Sequence, residues 1–180
     1  MSCAWNRVRA VAETLSEDYG DDLIVMGDMG VLLRAGQTDP DVNDFRHDVE
    51  AFVTVAAYLD IRDAYEVFLN RQMHKALVMV DGVEVGLYLE HQNRLRFDFG
   101  NIAFRAGEIE GIQVASLEHL LFLKLTTAGD RWSTSHGSKD QRDIAKILLL
   151  LENTEPEIGL SAATDTDLRL LESVLSSTAF

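Results

Sequence analysis

The chain has 180 residues, 47% of them hydrophobic, which suits one compact domain or a domain with a small helical appendage and argues against general disorder. Its net charge of −14, from 30 acidic and 16 basic residues, argues against broad, sequence-blind binding to DNA or RNA. No apolar run approaches the roughly 20 residues that span a bilayer, the N-terminus MSCAWNRVRAVAETLSEDYG lacks the apolar core of a signal peptide, and the single cysteine, Cys3, cannot form an internal disulfide. The expectation is an acidic cytoplasmic protein with no membrane segment.

Residues 4 to 18 place Trp5, Val8, Ala12 and Leu15 at helical spacing. Leu23-Ile24-Val25-Met26 is a short apolar run of the kind that forms a buried strand; Gly27 ends it, and Met29 to Arg34 reads as the following helix. Gly36 to Asp44 is a loop by composition, broken by Pro40. His47 to Val55 reads as a strand, with Asp48 and Glu50 on one side at its start. Residues 56 to 72 read as a helix with Tyr65, Phe68 and Leu69 on its inner stripe. Ala76 to Val80 and Val83 to Leu89 form two strands, and Asp81-Gly82 between them predicts a hairpin. Ile102 to Arg105 and Ile109 to Val114 read as a further short strand pair.

The last third reads as helical. Ser116 is placed to cap a helix bearing Leu117, Leu120, Leu121 and Leu125, and Ser138 with Gln141 has capping-box spacing before a helix with Ile144, Ile147, Leu148 and Leu151 inward. A final helix near Asp165 to Ser176 offers Leu168, Leu171 and Leu175. The order predicts an α+β fold, with a core over 1–115 and a helical part over 116–180 packed on it as a single compact unit.

Asp48 and Glu50 are the first candidates for chemistry. Two carboxylates at i and i+2 on a strand have Cα atoms about 6–7 Å apart on one face and can converge on Mg²⁺, which prefers oxygen ligands. A solvated polar strand face is the plain alternative. His47, His74, His91, His119 and His136 have no paired zinc spacing, and neither a G-x-x-x-x-G-K-[ST] loop nor a G-x-G-x-x-G turn is present. Ser133 to Ser138 reads as a polar connector.

Val25-Met26-Gly27-Asp28, the Asp48-Val49-Glu50 strand and the later array Ser116-Leu117-Glu118, Lys124-Leu125, Arg131 and Lys139-Asp140-Gln141-Arg142-Asp143-Ile144 together resemble the nucleotidyltransferase superfamily. The similarity runs over roughly residues 22 to 152, in the branch that includes the toxins of AbiE-type toxin–antitoxin systems. The resemblance implies a mixed β-sheet flanked by helices. It further implies a metal-dependent transfer of a nucleotidyl group from Mg²⁺-bound nucleoside triphosphate (NTP) to a tRNA, a protein side chain or a small molecule. Asp48 and Glu50 would be the metal ligands and, with Glu84, the catalytic acids. Gly27, Lys124, Arg131 and Lys139 would contact the nucleotide. For Arg131, Lys139, Asp140 and Asp143 a salt-bridged helix junction is the structural alternative.

The chain departs from that pattern in three places. Active members carry a third carboxylate on a later strand, where this chain has Gly86 in Val83-Glu84-Val85-Gly86-Leu87-Tyr88; Glu84 lies one pleat away on the same strand face. Asp28 follows Gly27 where a small neutral residue is usual, and the stretch between Gly27 and Asp48 holds Asp39, Asp41 and Asp44. All three departures favour the alternative of a catalytically degenerate binding or regulatory module with a basic partner.

Overall fold

The computed structural model describes residues 3–37, 48–71, 74–93, 95–129, 132, 135–152, 154, 158–159 and 162–178. His47, the loop residues Asp39, Pro40, Asp41 and Asp44, and Arg131 lie outside the described residues. The chain divides into two compact units, Met1–Ser116 and Leu117–Phe180.

The first unit is a mixed sheet with helices. In chain order it contains α1 (Cys3–Tyr19), β1 (Leu23–Met26), α2 (Gly27–Arg34), β2 (Asp48–Val53), α3 (Val55–Ala64), β3 (Val67–Asn70), β4 (Lys75–Val80), β5 (Val83–Leu89), α4 (Phe99–Arg105), β6 (Gly107–Ile109) and β7 (Ile112–Val114). Among the described residues the sheet has seven strands in the order β3-β4-β5-β2-β1-β7-β6. Strand β2 runs antiparallel to β1 and parallel to β5, while β7 joins the other side of β1 in parallel.

Alternation along the strands sorts the sheet into two faces. Val25, Val49, Ala51, Val53, Val85, Leu87 and Val114 are fully buried on one of them, in one cluster with Trp5, Val8, Ala12 and Leu15 of α1 and with Met29 and Leu32 of α2. Burying a side chain of this kind is worth about 1.5–3 kcal/mol, and this face therefore anchors the register of the central strands. The opposite face carries Asp48, Glu50 and Phe52. Its far end is covered by α4, with Phe52 and Phe99 in edge-to-face contact at 5.4 Å between ring centroids.

Four expectations are corrected. The helix after β2 ends at Ala64 and is followed by the edge strand β3; Phe68 and Leu69, expected on an inner helical stripe, are 56% and 67% exposed. Pairing with β4 decides that short segment, because Val-Phe-Leu-Asn suits a strand as well as a helix turn. Ile102 to Arg105 is helical, in α4, whose N-cap Asp98 accepts a hydrogen bond from the Asn101 N–H at 2.8 Å. The run Ile109 to Val114 is folded back on itself: Glu110 and Gly111, with φ of 51° and 84°, form a two-residue turn between β6 and β7. The last correction concerns the two C-terminal helices of the second unit.

That unit comprises α5 (Leu117–Ala128), α6 (Ser135–Leu151) and α7 (Asp165–Thr178). Ser138 is an exposed residue within α6 rather than its cap, and the Gln141 side chain donates to the Trp132 carbonyl at 3.3 Å. In α7 the buried stripe is Leu170, Leu171 and Val174, whereas Leu168 and Leu175 are 38% and 56% exposed. The turn before α7 is closed by Asp167, which accepts from the Thr164 N–H and hydroxyl at 2.7 Å each. No helix among the described residues is long and apolar enough to cross a membrane.

Candidate active site

The site begins where β1 ends. Gly27 has φ of +67°, a left-handed conformation that glycine adopts freely, and it turns the chain directly into α2. Met26 pairs with Glu50 across the antiparallel β1–β2 ladder, so the turn falls beside the Glu50 carboxylate. A Cβ on residue 27 would lie 2.5 Å from Glu50 Oε2. The left-handed backbone favours glycine here, and a side chain would in addition require the Glu50 carboxylate to move.

The parallel β2–β5 register sets Asp48 opposite Glu84, Glu50 opposite Gly86 and Phe52 opposite Tyr88. Residues paired this way share a face, so Asp48, Glu50, Glu84, Gly86 and Tyr88 form one surface. Asp48 is half-buried and Glu84 exposed. The structure therefore brings together Gly27, Asp48, Glu50 and Glu84, four of the residues singled out from the sequence.

It also brings in a residue that sequence reasoning missed. Lys75 opens β4, is only 7% exposed, and lays its ammonium on this face. Lys75 Nζ donates to Glu50 Oε1 at 3.2 Å and sits 5.8 Å from the centroid of the Tyr88 ring, while the Tyr88 hydroxyl contacts the same Glu50 oxygen at 3.4 Å. A Cβ on residue 86 would meet Lys75 Nζ at 3.1 Å and its Cδ at 3.3 Å. The lysine thus packs closely over Gly86 on its way to Glu50, and a side chain at residue 86 would make its end shift. A signal for this existed in the sequence. The Asp81-Gly82 turn sets Val80 against Val83 and hence Leu77 against Gly86, which puts Lys75 one pleat further along the same face.

A second cation of this unit, Arg34 at the end of α2, binds backbone. It donates to the Val114 carbonyl at 2.6 Å and the Ala115 carbonyl at 3.0 Å, tying α2 to the end of β7. Burial pushes its guanidinium below the ordinary arginine range, and arginine nevertheless stays protonated.

Lys124 and Lys139 belong to the second unit. Lys124 is buried on α5 and pairs with two carboxylates of α6, Asp143 Oδ2 at 2.7 Å and Asp140 Oδ1 at 3.9 Å. Lys139 is half-buried on α6 beside Asp140. Another side chain of α5, Glu118, accepts from the backbone N–H groups of Ile158 and Gly159 at 2.9–3.0 Å. These bonds join the elements of the unit to one another.

A divalent cation asks for several oxygen ligands in a near-octahedral shell. The residues present on the sheet face do not fit one. Glu50 Oε1 already accepts from an ammonium and a phenol, and the position opposite Glu50 has no carboxylate. Among the described residues no group of three or more His, Cys, Asp or Glu side chains is arranged to hold a metal ion. A metal added there would also be repelled by Lys75, by about 4 kcal/mol per unit charge at 4 Å under partial screening.

The order of the strands, the glycine turn after β1 and the acids on antiparallel β2 define a nucleotidyltransferase-like α+β fold. The chain is similar to the crystal structure of an antigenic nucleotidyltransferase-like protein from Paracoccidioides brasiliensis, with a TM-score of 0.63 at 16% identity over 96% of this chain and 89% of that one. It is also similar to ANT(2")-Ia in complex with adenylyl-2"-tobramycin, with a TM-score of 0.55 at 10% identity over 97% of this chain and 99% of that one. A third similarity is to the Megavirus polyadenylate synthase, with a TM-score of 0.57 at 11% identity over 83% of this chain and 32% of that one. No family model and no curated protein matches the sequence.

Proposed function

We propose that this protein is a nucleotidyltransferase-fold module that binds a partner and does not transfer nucleotides. The observation that carries the reading is Lys75 Nζ at 3.2 Å from Glu50 Oε1, in the space that Gly86 leaves open. Activating an acceptor hydroxyl requires an unprotonated base within hydrogen-bond reach. An ammonium ion only donates. Glu84 is the remaining carboxylate of β5 on this face, set opposite Asp48 rather than Glu50. The charge of −14 suits a basic protein surface as the partner, in keeping with a regulatory role of the toxin–antitoxin kind.

A second reading is nucleotidyl transfer from Mg²⁺-NTP to a tRNA, a protein side chain or a small molecule, with Asp48 and Glu50 as metal ligands and Glu84 as the third acid. It is favoured by the two β2 acids sharing a face beside the Gly27 turn and by the neighbour whose structure contains an adenylylated small molecule. Incubation with radiolabelled NTPs and Mg²⁺ or Mn²⁺, offering tRNA, basic proteins and aminoglycosides as acceptors, separates the two. The expected result is no transferred label and no rise in melting temperature at millimolar nucleotide. Label transfer that disappears in Asp48→Ala would replace the binding-module reading with the second one.

A further inference from the structure

We infer that Lys75 is a resident cation that substitutes for a divalent metal on this face, so that Glu50 serves as its fixed counter-ion and the site takes no Mg²⁺ or Mn²⁺. The inference rests on the binding-module reading and deepens it by assigning the charge balance of the same surface.

Three observations converge on it. The lysine side chain is 5% exposed and that of Glu50 is 22% exposed, so the pair is largely withdrawn from water, where a charge persists only with a partner. One oxygen of Glu50, Oε1, is engaged twice, by the Lys75 ammonium at 3.2 Å and by the Tyr88 hydroxyl at 3.4 Å. The fit at Gly86 is reciprocal. A Cβ at residue 86 would crowd the lysine Nζ and Cδ at 3.1 and 3.3 Å, so a side chain there would require the end of Lys75 to shift. A hydrated Mg²⁺ sheds water reluctantly and holds a rigid shell, and the Lys75 ammonium on Glu50 Oε1 opposes its approach by charge.

Mn²⁺ binding to the full chain, followed by electron paramagnetic resonance, tests this without reference to activity. Surface carboxylates of an acidic protein take up Mn²⁺ weakly, so the informative quantity is the difference between wild type and Glu50→Gln. That difference is expected to be nil, and the melting temperature of the wild type is expected to be the same in EDTA and in Mg²⁺. Lys75→Met should gain a saturable Mn²⁺ site that is lost again in Lys75→Met/Glu50→Gln. A wild-type Mn²⁺ site removed by Glu50→Gln would overturn the inference, and so would a folded Lys75→Met protein that gains none. If Lys75→Met does not fold, the wild-type comparison with Glu50→Gln decides alone. Transfer activity that survives EDTA would end the binding-module reading and leave the resident cation standing. A Glu50-dependent Mn²⁺ site without transfer would do the reverse.

Discussion

At the scale of single residues, the candidate site depends on two glycines with opposite duties. Gly27 supplies a backbone conformation and a close approach to Glu50; Gly86 supplies empty space that a lysine enters. Gly27→Ala is expected to destabilise the chain by about 1–3 kcal/mol, because the substitution adds left-handed strain and a clash with Glu50. Thermal unfolding of the variant checks this, and an unchanged melting temperature would mean that the turn relaxes freely. The residue scale is also where sequence reading reached least far. Asp48, Glu50, Glu84 and Gly86 were visible as a pattern, but the partner of Glu50 lies 25 residues away on a strand that reads as plain apolar sequence. Only counting back through the hairpin reveals it.

At the scale of elements, legibility followed the strength of local signals. Leu23 to Met26, the Asp81-Gly82 hairpin and the amphipathic α1 carry strong local signals: an apolar run with a branched pair closed by Gly27, a turn dipeptide with φ above zero and a helical stripe. Val67 to Asn70 does not, because its strand state comes from pairing with β4 rather than from its own residues. The Glu110-Gly111 turn sits inside a run that reads as continuous, and Asp98 is a cap signal just before α4. The helix pair α5–α6 permits a sharper expectation. Lys124 is buried beside Asp140 and Asp143, so Lys124→Ala would remove the ammonium that these two buried carboxylates share, at a cost on the order of 3–5 kcal/mol. Chemical denaturation of Lys124→Ala, Asp143→Ala and the double variant should give a non-additive cycle. Additive losses would show that the lysine does not hold the helices together and would return it to the list of possible ligand contacts.

At the scale of the whole molecule, charge governs encounter. A chain of net charge −14 should not bind duplex DNA or tRNA at physiological ionic strength, as gel-shift or polarisation measurements would show; firm, salt-sensitive binding to either would contradict that. A complex with a basic protein should form fast and weaken as salt is raised. An affinity indifferent to salt would instead point to exposed apolar side chains such as Phe68 and Met79, which share a sheet face on β3 and β4 and are 56% and 52% exposed.

The parallel pairing of β7 with β1 bears on how the chain comes off the ribosome. Leu23 to Met26 and the strand that flanks them on one side are made early, yet their other side is closed only by Ile112 to Val114, and Arg34 must wait through 80 residues of synthesis for the carbonyl of Val114. Through that interval the nascent polypeptide carries an unsealed apolar strand with free backbone donors and acceptors, the very template that recruits unwanted neighbours. Until residue 112 emerges, that edge of Leu23 to Met26 stays open to pairing with other chains.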